Sequence, residues 1–307
     1  MNGRFYCVSR FALALVLLGV GLVLTLGDDI GAAQKTIRDT PDGTVRTVFE
    51  SLGRGQPTVL WEALPERYQE DVEQLIHGFA GKMDKDLYDR TFALVGRIAT
   101  VLKDKKQFFL ASSMASASDP DEASRNFDAA CAILQTIADS PLANLESLKT
   151  ISVSEFLDTT GADLMGQITT ASKLSPQDPI ALLNEVRVDL VRVNGDTAAV
   201  SITAPQRPIT QIMMSRVDGK WLPSDLTRKW DESIAQANRQ LDALSPEQMA
   251  QSKPQTLMML AMVESMITQF EEIESQDQFD QRVGQMMGLM MMGAMGGPGP
   301  FGGAAAQ

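Results

Sequence analysis

The hydrophobic period of the chain is helical nearly throughout and drops to two in one stretch, Asn184–Trp230. Glu185–Val193 is dense in β-branched residues, Asn194-Gly195-Asp196 supplies turn chemistry, and Thr197–Thr203 sets Ala198, Val200 and Ile202 against Thr197, Ala199, Ser201 and Thr203. That alternation predicts a half-buried hairpin. Pro205 and Pro208 cannot donate to a ladder and fall outside the strands. Ile209–Val217 predicts a third strand, and Asp218-Gly219 a type I′ turn into a short fourth, Lys220-Trp221-Leu222, ended by Pro223. Such a meander buries one face, so amphipathic helices on either side are its expected cover.

Around the meander, apolar positions recur at three and four. Thr40-Pro41-Asp42 starts a helix carrying Val45, Val48, Phe49 and Leu52, stopped by Gly53 and Gly55. A short helix at Pro57–Leu64 and one from Pro65 to about Phe79 follow, then the longest, Asp84–Leu102. Ser112–Asp121 is small and polar and reads as a loop, as does Lys173–Pro179. Between them, helices are predicted at Asp121–Asp139 and Ser154–Ala171, with Ser152 and Glu155 as a capping box. Beyond the meander, Leu226, Trp230, Ile234, Ala237 and Leu241 form a stripe, Ser245-Pro246-Glu247 starts a helix, Thr256–Glu274 is a longer one, and Ser275 caps a last helix to about Leu289. The fold class is α+β: predominantly helical, with one small antiparallel β-meander of about four strands packed on amphipathic helices.

Composition changes the picture at the two ends. Arg4 and Arg10 precede the apolar run Phe11–Gly27, and Gly31-Ala32-Ala33 offers the small residues a signal peptidase needs, so residues 1–33 read as an export signal cleaved after Ala33. The expected location is periplasmic or secreted, with anchoring by residues 11–27 as the alternative. Residues 34–289 form one domain, and 290–307 is a Met/Gly/Pro/Ala tail without period, expected to be disordered. The formal charge of −12 disfavours nucleic acid and anionic membrane as partners. Lys103–Lys106 is a local exception, read as a solvated helix end. Cys131 lies on the stripe Phe127, Ala130, Cys131, Leu134, Ile137 and reads as a buried small hydrophobe.

Two segments resemble the exported, cone-shaped α+β domains of the nuclear transport factor two superfamily. They are Thr40-Pro41…Val45…Phe49…Leu52-Gly53-Arg54-Gly55 with Leu60-Trp61…Leu64-Pro65…Tyr68, and the hairpin Val217-Asp218-Gly219-Lys220-Trp221-Leu222. The resemblance implies a bent sheet with the first helices on its concave face and a conical pocket, with residues 81–183 either a helical insertion or the sign of a different helical fold that carries a meander. It also implies candidate pocket-lining residues Trp61, Tyr68, Tyr88, Met214 and Trp221. Enzymes of that superfamily use a buried acid or base with tyrosine or histidine inside the cone.

The chain's own residues supply little for such chemistry. His77, its single histidine, sits at the edge of an apolar stripe and reads as a helical histidine, and Arg187 and Asp189 as a solvent-side pair on the first strand. No phosphate loop, catalytic triad or zinc spacing is present, and no cofactor is implied. Met286, Met287, Met290, Met291 and Met292 are thioether donors of the kind that select Cu(I), or the lining of a partner-seeking helix. The expectation is a non-enzymatic ligand- or protein-binding module, taking a small apolar ligand or a protein partner. The alternatives are a carboxylate-based lyase, isomerase or hydrolase, and copper binding through the C-terminal methionines.

Overall fold

The computed structural model describes residues 39–112, 119–173, 178–205 and 207–294. The N-terminal segment expected to direct export, with Cys7, the middle of the Ser112–Asp121 loop, part of the Lys173–Pro179 loop and the tail beyond Ala294 lie outside them. Thirteen helices, in chain order, are α1 (Pro41–Leu52), α2 (Thr58–Glu62), α3 (Glu66–Lys82), α4 (Lys85–Asp104), α5 (Lys106–Ala111), α6 (Pro120–Asp139), α7 (Leu145–Leu148), α8 (Val153–Phe156), α9 (Ala162–Ser172), α10 (Ala181–Asn184), α11 (Ser224–Asp242), α12 (Pro246–Glu271) and α13 (Gln276–Ala294), counted among the described residues.

The period-two stretch forms one antiparallel sheet in chain order, β1 (Arg187–Asn194), β2 (Thr197–Thr203), β3 (Thr210–Val217) and β4 (Lys220–Pro223). Asp218 at φ 48° and Gly219 at φ 81° give the two left-handed residues that a type I′ turn requires. Val188 lies opposite Ile202, Val200 opposite Leu190 and Ile212, Ala198 opposite Met214, and Arg216 opposite Trp221. One face is therefore apolar from β1 to β4 except at Arg216, whose guanidinium lies over the Trp221 ring. A bulge between Leu190 and Arg192 leaves Val191 without a residue opposite it.

The Thr40 hydroxyl accepts the Gly43 amide at 3.1 Å and Pro41 occupies the first turn, which fixes the start of α1. Val45 and Phe49 then pack on Val188, Val200, Met214 and Trp221, filling the apolar face of the sheet. Arg46 donates to the Val188 carbonyl at 2.8 Å. The expectation of a one-faced sheet needs correction at its far side. Leu222 points away from α1 yet is buried, because α11 leaves β4 directly and packs back along β3 and β4, with Ser215 Oγ 2.7 Å from Ser224 Oγ.

A second core gathers Phe79, Tyr88, Leu145, Leu148 and Leu241, from α3, α4, α7 and α11. Tyr68 stacks on Trp230 with ring centroids 4.0 Å apart, and Asp71 accepts the Trp230 Nε1–H at 2.8 Å, which locks α3 to α11. The helix predicted over Ser154–Ala171 is interrupted by a π-helical turn, Leu157–Gly161. A Cβ on Gly161 would lie 3.3 Å from both the Leu157 and the Pro57 side chains, so the bare glycine lets this turn close on α2.

Helices α4 and α12 pack side by side and run in the same direction. Arg90 donates to Glu264 at 2.6 Å from Nε, and Arg97 to Glu271 at 2.8 Å, one heptad further along both helices. Leu94, Ile98 and Val101 meet Leu260, Val263, Ile267 and Phe270 alongside these pairs. The two starts predicted at Ser245 and Thr256 belong to the single helix α12, with Pro254 inside it. Gln276 at the start of α13 donates to the Phe108 carbonyl of α5 at 3.2 Å, and α13 continues to Ala294, past the predicted end near Leu289.

Candidate functional site

The five residues expected around a pocket do not line a common space. Met214 and Trp221 share the core under α1, Trp61 is buried on α2, Tyr68 is under Trp230, and Tyr88 belongs to the second core. The Tyr88 hydroxyl donates to the Leu142 carbonyl at 2.6 Å, and burial pushes its pKa well up, so it is held as a protonated donor. Trp221 alone of the five lines a surface cleft of about 180 Å³, together with Asp39, Thr44, Ala63 and the Asp218–Lys220 turn. That volume is below the roughly 300–1,000 Å³ of small-molecule sites.

The titratable groups are dispersed. His77 Nε2 lies 3.0 Å from the Ile151 carbonyl, which ties α3 to the segment before α8. Arg187 and Asp189 are both exposed on β1. Lys105 and Lys106, expected to be solvated, are tied down instead: Lys105 donates to the Ile273 carbonyl at 2.7 Å and Lys106 pairs with Asp128 at 2.6 Å. The correction has a physical cause, since Ile273 follows the carbonyl-rich end of α12, where a cation is favoured. Burial raises the Cys131 thiol pKa, and the nearby Asp128 raises it further. No Asp, Glu or His among the described residues is buried.

A different feature is assembled on α12. The Ser245 hydroxyl accepts the Gln248 amide at 3.2 Å and Pro246 fills the first turn, so the helix begins cleanly. Its apolar seam, Leu260, Val263, Ile267 and Phe270, is occupied by α4. The positions Gln251, Gln255, Met258, Met262, Ser265 and Gln269 form a second seam at spacings of four and three. Every one of them is uncharged, on a chain with 66 charged residues (27 basic and 39 acidic). Five of the six are exposed and Gln269 is half-buried, with Met258 70 % exposed. The seam ends at a small cleft of about 70 Å³ where Met266, Gln269 and Phe270 face Arg282, Gln285 and Met286 of α13.

Of the methionines singled out at the C-terminus, Met286 thus lines the end of this seam and Met287 is exposed at 52 %. Met290, Met291 and Met292 continue α13, and their side chains lie outside the described set. The sequence reading missed Met258 and Met262. Their signal was a second heptad of uncharged residues offset from the first, concealed because the apolar period was assigned wholly to the core.

The fold and this surface define a mostly helical α+β protein with an uncharged, methionine-bearing helix face. Comparison with known proteins adds nothing to that class: no family model matches the chain, and no curated protein or solved structure matches it either.

Proposed function

We propose that this chain is an exported, non-enzymatic protein-binding module that docks an amphipathic helix of a partner protein along the outer seam of α12. The observation that carries the reading is the uncharged 4-3-4-3-4 seam from Gln251 to Gln269, centred on the exposed Met258 and Met262. Residues at that spacing are what one helix offers another in a coiled-coil contact. Thioether side chains are flexible and polarizable, so they mould to an apolar partner at low cost in specificity. The glutamines and the serine at the two ends supply neutral hydrogen-bonding groups, and α4 on the opposite side holds the helix rigid.

The dispersal of the titratable groups also supports a binding role over the carboxylate-enzyme alternative, which requires a buried acid beside tyrosine or histidine. The segment before residue 34 supports export through its basic start, apolar run and small-residue end.

The test is comparative capture from the producing cell, with chemical cross-linking and mass spectrometry of the adducts. Wild-type protein is expected to cross-link a discrete partner through α12, and Met258→Glu/Met262→Glu to lose at least about 90 % of that adduct while keeping its circular dichroism and melting curve. Adducts of unchanged yield in the double variant, or adducts mapped away from α12, reject the proposal.

A further inference from the structure

The sheet has two edges, and they are built differently. At β4 the edge is four residues long, ends in Pro223 and runs at once into α11. Shortness and proline are means by which an edge is closed to pairing. At β1 the edge is eight residues long and, among the described residues, pairs with β2 alone. Arg46 occupies the Val188 carbonyl, which caps the beginning of the strand and leaves Asp189 onward uncovered. Leu190, Val191 and Val193 are 45, 50 and 49 % exposed. A monomer would hold three large aliphatic side chains in water beside an unpaired backbone edge.

The charges on the same strand indicate what covers it. Arg187, Asp189 and Arg192 are exposed, and among the described residues none of their side chains has an ion-pair or hydrogen-bond partner. Asp189 lies opposite Ser201 and Arg192 opposite Ala199, so the register puts both on the sheet face away from α1, with the Val191 bulge between them. Leu190 and Val193 lie opposite Val200 and Ala198, on the other face.

We infer that β1 is a homodimer interface, in which the β1 edges of two copies pair antiparallel about a two-fold axis between Leu190 and Val191. In that register Asp189 of each copy lies opposite Arg192 of the other, giving two symmetric ion pairs on one face. Leu190 comes opposite Val191, and Val188, whose carbonyl Arg46 already holds, comes opposite Val193 at the end of the paired stretch, on the face that carries the apolar side chains. The two-fold operation makes each strand its own complement, as an isologous interface demands. A chain of net charge −12 repels its copies in general, so a self-contact needs a surface that is locally not acidic. Arg187–Asn194 carries two arginines and one aspartate, a local charge of +1 by that count.

Sedimentation velocity on the purified protein across a concentration series tests this. Wild type is expected to show a reversible monomer–dimer equilibrium. Asp189→Arg sets arginine against arginine across the axis, and Arg192→Asp sets aspartate against aspartate. Each single variant is expected to dimerise about 10-fold more weakly or worse, since like charges directly opposite each other are unfavourable. The double variant Asp189→Arg/Arg192→Asp restores both pairs and is expected to dimerise as wild type does. An equimolar mixture of the two single variants is expected to form a heterodimer, because one copy then brings only arginines and the other only aspartates. Both positions are exposed, so loss of folding is not the expected route to any effect, and circular dichroism checks it. A wild type that stays monomeric throughout overturns the inference. So does a dimer that is indifferent to the single changes, or one that neither the double variant nor the mixture rescues.

Discussion

Tyr68 is 2 % exposed, stacked flat on Trp230, with the Arg67 guanidinium 5.1 Å from its ring centroid. Replacing it with alanine removes a buried ring and leaves Trp230 with only its bond to Asp71. Tyr68→Ala is expected to lower the unfolding free energy by about 3–5 kcal/mol, read from urea denaturation followed by tryptophan fluorescence. The sequence shows Tyr68 and Trp230 each on the apolar stripe of its own helix. It does not show that they meet, because the Asp71–Trp230 bond beside them spans 159 residues and local period carries no information about distant partners. The same division runs through the other expected site residues. Trp221 is legible as a core anchor from its place after a tight turn, while the dispersal of Trp61, Tyr68, Tyr88 and Met214 among separate clusters is a tertiary result. In the sequence Gly161 is simply one position of a helix, and the approach of Leu157 and Pro57 explains why it carries no side chain.

Elements were the most legible level, because caps and period act locally. Thr40, Asp84, Ser152, Ser245 and Ser275 all accept backbone amides at the helix starts where they were expected. The exception is α12, where two helices are expected, from Ser245 and from Thr256, and one helix runs through both with Pro254 inside it. Packing against α4 and the Lys253 bonds to Asp84, at 2.9 and 3.0 Å, hold that turn in place. These charge pairs set an acid limit. The Arg90 guanidinium holds the Glu264 carboxyl below its ordinary range. Burial alone would raise the Asp84 carboxyl, but Lys253 and the Leu87 amide outweigh it and hold it down as well. A carboxylate whose folded pKa is depressed contributes stability that is fully present above its unfolded pKa and is lost as pH falls through the folded one. Urea midpoints are therefore expected to decline below about pH 4. Glu264→Gln is expected to be less stable than wild type at pH 7 and to lose less on acidification. An unchanged slope in that variant would assign the acid sensitivity to other groups.

For the whole molecule, the α+β class and the strand order β1-β2-β3-β4 follow from the single period-two stretch and its turns. The side-by-side α4–α12 pairing does not, since two amphipathic helices far apart in sequence fit each other in either direction until the charges at Arg90, Arg97, Glu264 and Glu271 are matched. That pairing also dictates the order in which the chain is able to fold. Arg90–Glu264 and Arg97–Glu271 are each separated by 174 residues, Lys82 reaches the Leu241 carbonyl across 159, and Arg216 reaches back 177 to Asp39. Contacts of such range require large loops to close before they contribute, which slows folding and keeps early segments waiting. A chain ended at Ala243 lacks α12, and with it the cover for Leu94, Ile98 and Val101. It is expected to keep helical circular dichroism, lose a sharp urea transition and bind a hydrophobic dye. Helices α1 and α3 thus have their cover, from the sheet and from α11, before α12 is made, and α4 does not. Leu94, Ile98 and Val101 of α4 stay uncovered until nearly the last turn of α12 is made.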